Sequence, residues 1–258
     1  MAVHYKTTLL GWSLAPEALL SPQEEAVQVV PLSSEGCVLD FVPPALRRRC
    51  STFSKVTLAV AHAALRNAPS EELIPTVFAS MHGESEITRG LLSDLAGNQQ
   101  LSPMGFSLSV HNASSGLYSI ATGNTAPSTA IAAGEDTFFM GLCETLMMLH
   151  EGGFRRVLYV CSDDLVPAQF LQEGAFQPVP YAVAVLLGLP GSGAGVDLTI
   201  EISIQAQPAE RDAVPHGVRF AQWLHAGTGD LDVRSRRTRW VFRSEGGHAQ
   251  EGFASSYR

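Results

Sequence analysis

Residues 106–165 read FSLSVHNASSGLYSIATGNTAPSTAIAAGEDTFFMGLCETLMMLHEGGFRRVLYVCSDDL, and three pieces of that stretch decide the architecture. Residues 127–132 (PSTAIA) are short and apolar, with β-branched Thr129 and Ile131, which suits a buried strand. Gly134, Glu135 and Asp136 then make a turn with two carboxylates at a helix start, where the helix dipole favours negative charge. Residues 137–150 follow as a helix that is apolar almost all round, carrying Phe138, Phe139, Met140, Leu142, Leu146, Met147, Met148 and Leu149. A surface helix would show a polar face, so this one is expected to be buried on most sides. Gly152 and Gly153 end it, and residues 156–161 (RVLYVC) form a second buried strand. Strand, sharp turn and buried helix make an arrangement in which many enzymes present a nucleophile.

Strands alternate with helices on both sides of this centre, which predicts an α/β layer structure. Upstream, residues 8–14 (TLLGWSL) read as a strand. Residues 21–45 are polar and Pro-rich and read as a loop, with a short strand near 27–30. Residues 54–66 form a helix with Val56, Ala59, Val60, Ala63 and Ala64 on one face, small enough for close packing on a sheet. Residues 76–80 (TVFAS) form a short buried strand, and 84–95 a helix with Ile87, Leu91, Leu92 and Leu95 at helical spacing. Downstream, 179–189 is a buried strand and 190–195 (PGSGAG) a turn. Residues 196–205 alternate, with Val196, Leu198, Ile200, Ile202 and Ile204 on one face, which predicts a strand with one wet face near a sheet edge. A short amphipathic helix at 218–224 and a last strand at 239–243 complete the pattern.

The composition narrows the classes of function. A net charge of −8 argues against a nucleic-acid partner, because phosphate contacts need clustered Lys and Arg. No apolar run is long enough to span a membrane, and no basic segment followed by an apolar core marks a secretory leader, so a cytoplasmic protein is expected. Cys37, Cys50, Cys143 and Cys161 have no CxxC spacing, and His4, His62, His150 and His248 are scattered, so neither a metal nor a cofactor is expected. Cys143 and Cys161 lie in apolar elements and read as small buried hydrophobes.

The order Asn112, Gly116, Ala126-Pro127, turn, buried helix, Gly, strand resembles the N-terminal half of β-ketoacyl synthases, which have the thiolase fold. The wording FASMHGE at 78–84, LSPMGFSLSVHN at 101–112 and FAQWL at 220–224 resembles the short chain length factor relatives of ketosynthases in aryl polyene pathways. The resemblance runs from about residue 8 to residue 243. It implies an α/β, thiolase-like, half-length structure: a mixed sheet layered with helices around one buried central helix. It also implies one domain over 1–243, with 244–258 a disordered tail.

Aligned without gaps from Pro127, the family's nucleophilic Cys falls on Glu135; a one-residue slip puts it on Gly134, and neither is a thiol. The family's two catalytic His residues belong to a second half that this chain is too short to contain. The resemblance thus implies a catalytically silent subunit. It would form a heterodimer with a full-length ketosynthase and set how far the acyl chain grows. An acyl carrier protein would act through the complex. Met104, Phe106, Leu108, Val110 and Asn112 would lie at the interface beside the partner's acyl tunnel. The strand with Pro127, Thr129 and Ile131 would pair antiparallel with its counterpart in the second subunit.

Several readings stay open beside this one. Glu135 and Asp136 read either as caps of the buried helix or, for Glu135, as a group in the acyl cavity, and capping is favoured. The apolar side chains at 104–110 read equally as core. A small acyl hydrolase or acyltransferase could use Glu135 or His111, or a Ser-His-acid set from Ser80, His82 or His111 and Glu84 or Asp136, although no G-x-S-x-G elbow places a serine. A third reading is a purely structural stabiliser of the ketosynthase. The stretch HAGTGD at 225–230 is similar to the family's His-Gly-Thr-Gly-Thr motif but has an inserted Ala and follows a late helix, so it reads as a loop.

Overall fold

A computed structural model describes residues 2–16, 19, 32–66, 68, 72–166, 179–207, 214–227 and 229–245. The expected strand near 27–30 and the tail at 246–258 lie outside the described residues. The strands are β1 (Ala2–Ala15), β2 (Thr76–Ala79), β3 (Ser128–Ile131), β4 (Arg156–Asp163), β5 (Tyr181–Gly188), β6 (Val196–Ile204), β7 (Leu231–Arg234) and β8 (Thr238–Glu245). The helices are α1 (Pro44–Arg47), α2 (Thr52–Ala64), α3 (Ser85–Ala96), α4 (Pro103–Leu108), α5 (Ala113–Thr122), α6 (Thr137–His150) and α7 (His216–Ala226).

All eight strands form one mixed sheet in the order β3-β2-β4-β5-β1-β6-β8-β7. β3, β2 and β4 run parallel; every other neighbouring pair is antiparallel. β4 and β5 are buried along almost their whole length, as continuous apolar strands in the middle of a covered sheet must be. α6 and α7 cover one face of the sheet and α2 and α5 the other, each over its own apolar cluster.

The all-apolar helix behaves as its sequence predicts. Phe138, Phe139, Leu142, Leu146 and Leu149 of α6 are buried. Gly141 is what lets α6 approach β2 and β4: a Cβ there would meet the Tyr159 ring at 2.5 Å and the Ala79 Cβ at 2.9 Å. Phe139 stacks on Trp240 of β8 with ring centroids 4.7 Å apart, which ties the C-terminal hairpin to the same helix.

Three expectations need correction. β6 is not near an edge, because β8 and β7 extend the sheet beyond it. Its alternation reports one partly wet face, not its position in the sheet. β3 is an edge strand and only half-buried, rather than a buried one. α3 forms with the expected apolar spacing and lies on the surface, with none of its residues buried. β8 continues through Ser244 and Glu245, two residues past the expected end of the domain.

α4 and β7 lie in stretches that the sequence reading left without elements. α4 carries a local signature: Ser102 is its N-cap and accepts from Gly105 N at 3.1 Å, with Pro103 at the first helical position.

Candidate functional site

Ser80, just past the end of β2, is the hub on which the conspicuous segments converge. Its N–H donates to the Ile131 carbonyl at 3.0 Å, which fixes the C-terminal end of β3. Its carbonyl meets His111 Nε2 at 2.8 Å, which holds the residues before α5. Its hydroxyl donates to Asp163 Oδ1 at 2.9 Å and accepts from Gly83 N at 2.8 Å. The same Asp163 oxygen accepts from Met81 N at 2.8 Å and His82 N at 3.1 Å. Burial raises the Asp163 carboxyl to about 6, against the pull of these donors and of the charge on His111.

A second buried carboxylate lies one turn further on. Glu84, which precedes α3, accepts from Ser51 at 2.9 Å and from the buried Ser54 hydroxyl. Burial raises its carboxyl as well, opposed by these two hydrogen bonds. Two buried acids thus fix the turn that carries α3, while α3 itself stays on the surface.

The geometry does not assemble the hydrolase alternative. The Ser80 hydroxyl is engaged by Asp163 and Gly83, and His111 faces the Ser80 carbonyl, not its hydroxyl. Among the described residues no group of three or more His, Cys, Asp or Glu could hold a metal, and no helix is long and apolar enough to cross a membrane. Burial pushes the Cys161 thiol up to about 12, and Cys143 is half-buried on α6 with its thiol raised by the same cause. The stretch at 225–230 begins as the last turn of α7, and Gly227 at φ 71° is its left-handed C-cap, a conformation glycine adopts at little cost.

Gly134, Glu135 and Asp136 form a single 3-10 turn between β3 and α6. The capping reading needs correction for Asp136. It stands at the N-cap of α6 without a side-chain bond to the helix, and its Oδ1 accepts from Arg236 N at 3.1 Å. Thr137 closes the turn instead, accepting from Ala133 N and donating to the Gly134 carbonyl. Glu135 is solvent-exposed.

Met104, Phe106 and Leu108 lie on α4, Val110 and Asn112 just after it, with Asn112 at the N-cap of α5. Met104, Phe106 and Val110 are exposed, Phe106 by 66% of its surface, and Leu108 is half-buried. Exposed apolar side chains are frequent in this part of the chain, and α3 and α4 pack against each other. Leu92, Leu95, Leu101, Met104, Phe106, Val110 and Ile120 are seven of the eleven exposed large apolar side chains among the described residues. A concentration of this kind on one surface marks an interaction site more often than chance.

Pro127, Thr129 and Ile131 form the other group. The Pro127 and Ile131 carbonyls accept from β2, at Thr76 N and Ser80 N. Alternate residues point their backbone groups the other way, so Ser128 and Ala130 turn theirs to the open edge. The opposite edge of the sheet, β7, is blunted by the exposed charges of Asp232 and Arg234. β3 (STAI) has no charge at all.

Residues 12–243 match the family model of the beta-ketoacyl synthase, N-terminal domain, and the chain belongs to that family. Its sheet and helices are those of the thiolase-like ketosynthase fold. A chain in the structure of the ketosynthase ApeO in complex with its chain length factor ApeC, from Xenorhabdus doucetiae, is 25% identical, with a TM-score of 0.70 over 93% of this chain and 100% of that one. The ishigamide ketosynthase/chain length factor is 14% identical at a TM-score of 0.59, over 78% of this chain and 68% of its own. A chain of AntDE:AntF, a type II polyketide synthase acyl-carrier protein in complex with its ketosynthase, is 10% identical at a TM-score of 0.66 over 93% and 99%. The last two share the fold. No curated protein matches significantly.

Proposed function

We propose that this chain is a non-catalytic chain length factor: a subunit that pairs with a full-length β-ketoacyl synthase and shapes its acyl tunnel in polyene- or polyketide-type synthesis. One observation carries the reading. The uncharged edge of β3 is open, and the apolar surface of α3, α4 and α5 lies exposed beside it, joined to it through Ser80. An edge without gatekeeper charges next to a large apolar patch is a hazard for a lone protein and an asset for a subunit that completes another's sheet. The likeness to the ApeO–ApeC complex supports a ketosynthase partner, because that structure holds a ketosynthase with its chain length factor. Catalytic silence is supported by the 134–136 turn, which carries Gly134 and Glu135 where the family's Cys would stand. The acyl chain and its carrier protein would meet this subunit through the complex.

Co-expression with the ketosynthase tests the reading. The two chains are expected to elute together as a heterodimer, and this chain alone is expected to be poorly soluble. A well-behaved monomer at micromolar concentration that ignores the ketosynthase overturns it.

A further inference from the structure

The β7–β8 hairpin is rich in arginine, and apart from the exposed Arg234 of β7 its arginines fall into two groups. Arg239 pairs with Asp232, and Arg243 bridges Asp230 and Glu201 at 3.1 and 3.2 Å. Arg236 and Arg237, at the turn, are exposed, and neither has a carboxylate partner among the described residues. The turn that presents them is rigid. Ser235 N donates to the Thr238 carbonyl at 2.8 Å, and the two hydroxyls meet at 2.6 Å. Trp240, fully buried, donates to Thr238 Oγ1, and Gln205 N donates to the Arg237 carbonyl at 2.8 Å.

The position of the turn gives it meaning. Arg236 N donates to Asp136 Oδ1, so the backbone of the arginine turn lies against the 134–136 turn that follows β3. The arginine turn thus lies beside the segment that leads from β3 into α6, in a chain whose net charge is −8. Two arginines without an ion pair among the described residues, on a hydrogen-bonded turn beside the segment that leaves an open strand edge, are suited to meet acidic groups on whatever pairs with that edge.

We infer that Arg236 and Arg237 dock a carboxylate-bearing surface of the partner ketosynthase at the rim of the β3 interface and steer its approach. The inference rests on the heterodimer reading above. Rim charges act mainly on the association rate and are screened by salt, whereas buried apolar contacts set the dissociation rate.

The test is the association kinetics of the full chain with its ketosynthase, for the parent and for Arg236→Glu, Arg237→Glu and Arg155→Glu. Arg155 is an exposed arginine just before β4, and β4 runs parallel to β2 and β3, so Arg155 lies at the end of the sheet away from the 134–136 turn. Its reversal changes the net charge equally. At low salt, Arg236→Glu or Arg237→Glu is expected to slow association roughly tenfold, and the difference should vanish near 1 M salt. Arg155→Glu is expected to stay within about twofold of the parent. If all three variants associate like the parent, or if Arg155→Glu slows association as much, the inference is wrong while the heterodimer stands. Variants that pair normally but lose affinity for the acidic carrier protein overturn the assigned occupant. A parent chain that does not bind the ketosynthase at all removes both the heterodimer and this inference.

Discussion

At the scale of single residues, the most unusual group is Asp163, a buried carboxylate whose one oxygen accepts from a hydroxyl and two backbone amides. Its carboxyl sits at about 6, above the 3.8 of an unburied aspartate, because burial disfavours the charge. The folded protein therefore takes up this proton before the unfolded chain does as pH falls. The contribution of Asp163 to stability rises from about pH 7 to pH 4, on the order of 3 kcal/mol in all. Asn keeps the accepting oxygen and removes the charge. Asp163→Asn is expected to be more stable than the parent at pH 8 and to flatten the pH dependence between 7 and 4. What remains is the contribution of Glu84, which has the same sign. Urea midpoints at pH 5 and pH 8 check this; an equal slope in parent and variant would count against it. None of this was legible beforehand, although Asp163 and Asp164 closing an otherwise apolar strand was a usable signal. A hydrogen-bond hub depends on which backbone amides a turn aims inward, and side-chain periodicity does not encode that.

At the scale of elements, what could be read was the burial of a segment, and what could not was its neighbour. β4, β5 and α6 were legible because an apolar run has only one stable place, between two layers. α4 was missed because its outward face is apolar too, with Met104 and Phe106 exposed, and periodicity did not show α5 because Ser114 and Ser115 lie on its buried side, so no polar period marks either as a helix. The same apolar faces explain why residues 104–110 read equally as core or interface. β3 read as buried because its composition is that of a buried strand, yet it lies at an edge, and that mismatch is itself the argument for a partner. The backbone polarity of β3 gives a sharp test. Ala130 directs its N–H to the open side and Thr129 toward β2, as the pairing of Pro127 and Ile131 with β2 requires. Ala130→Pro removes only an outward donor, a change that edge strands tolerate. It is expected to leave the subunit folded by circular dichroism and to weaken the heterodimer about tenfold, the scale of a net hydrogen bond. Thr129→Pro is expected to destabilise the subunit itself. A heterodimer of parental affinity in Ala130→Pro would show that no strand pairs along this edge.

At the scale of the whole molecule, the sheet, the buried acids and the exposed helices form one chain of support ending in α4. Asp163 and Glu84 fix the turn after β2, α3 rides on that turn, and α4 packs on α3 so closely that a Cβ on Gly105 would lie 3.4 Å from the Leu91 side chain. The side chains of α4 are thus held at fixed depth without being buried in their own subunit. If they wall the ketosynthase tunnel, their volume limits the acyl chain. A growing chain stops when its next two carbons no longer fit, and forcing extra methylenes into a packed site costs about 1–3 kcal/mol. That range is on the order of ten- to a hundredfold in the partition between extension and release. Phe106→Ala, Leu108→Ala and Val110→Ala, made one at a time in the intact heterodimer, are therefore expected to lengthen the products in at least one case without slowing the early condensations. Phe106 and Leu108 remove the most volume. Phe106 is also the more exposed of the two, so its truncation leaves the subunit's own core untouched and isolates the effect on the partner. Product lengths by mass spectrometry decide the matter. If all three variants pair normally and make products of parental length, the 104–110 segment does not measure the product, and length control belongs to the ketosynthase or to the neighbouring helix α3.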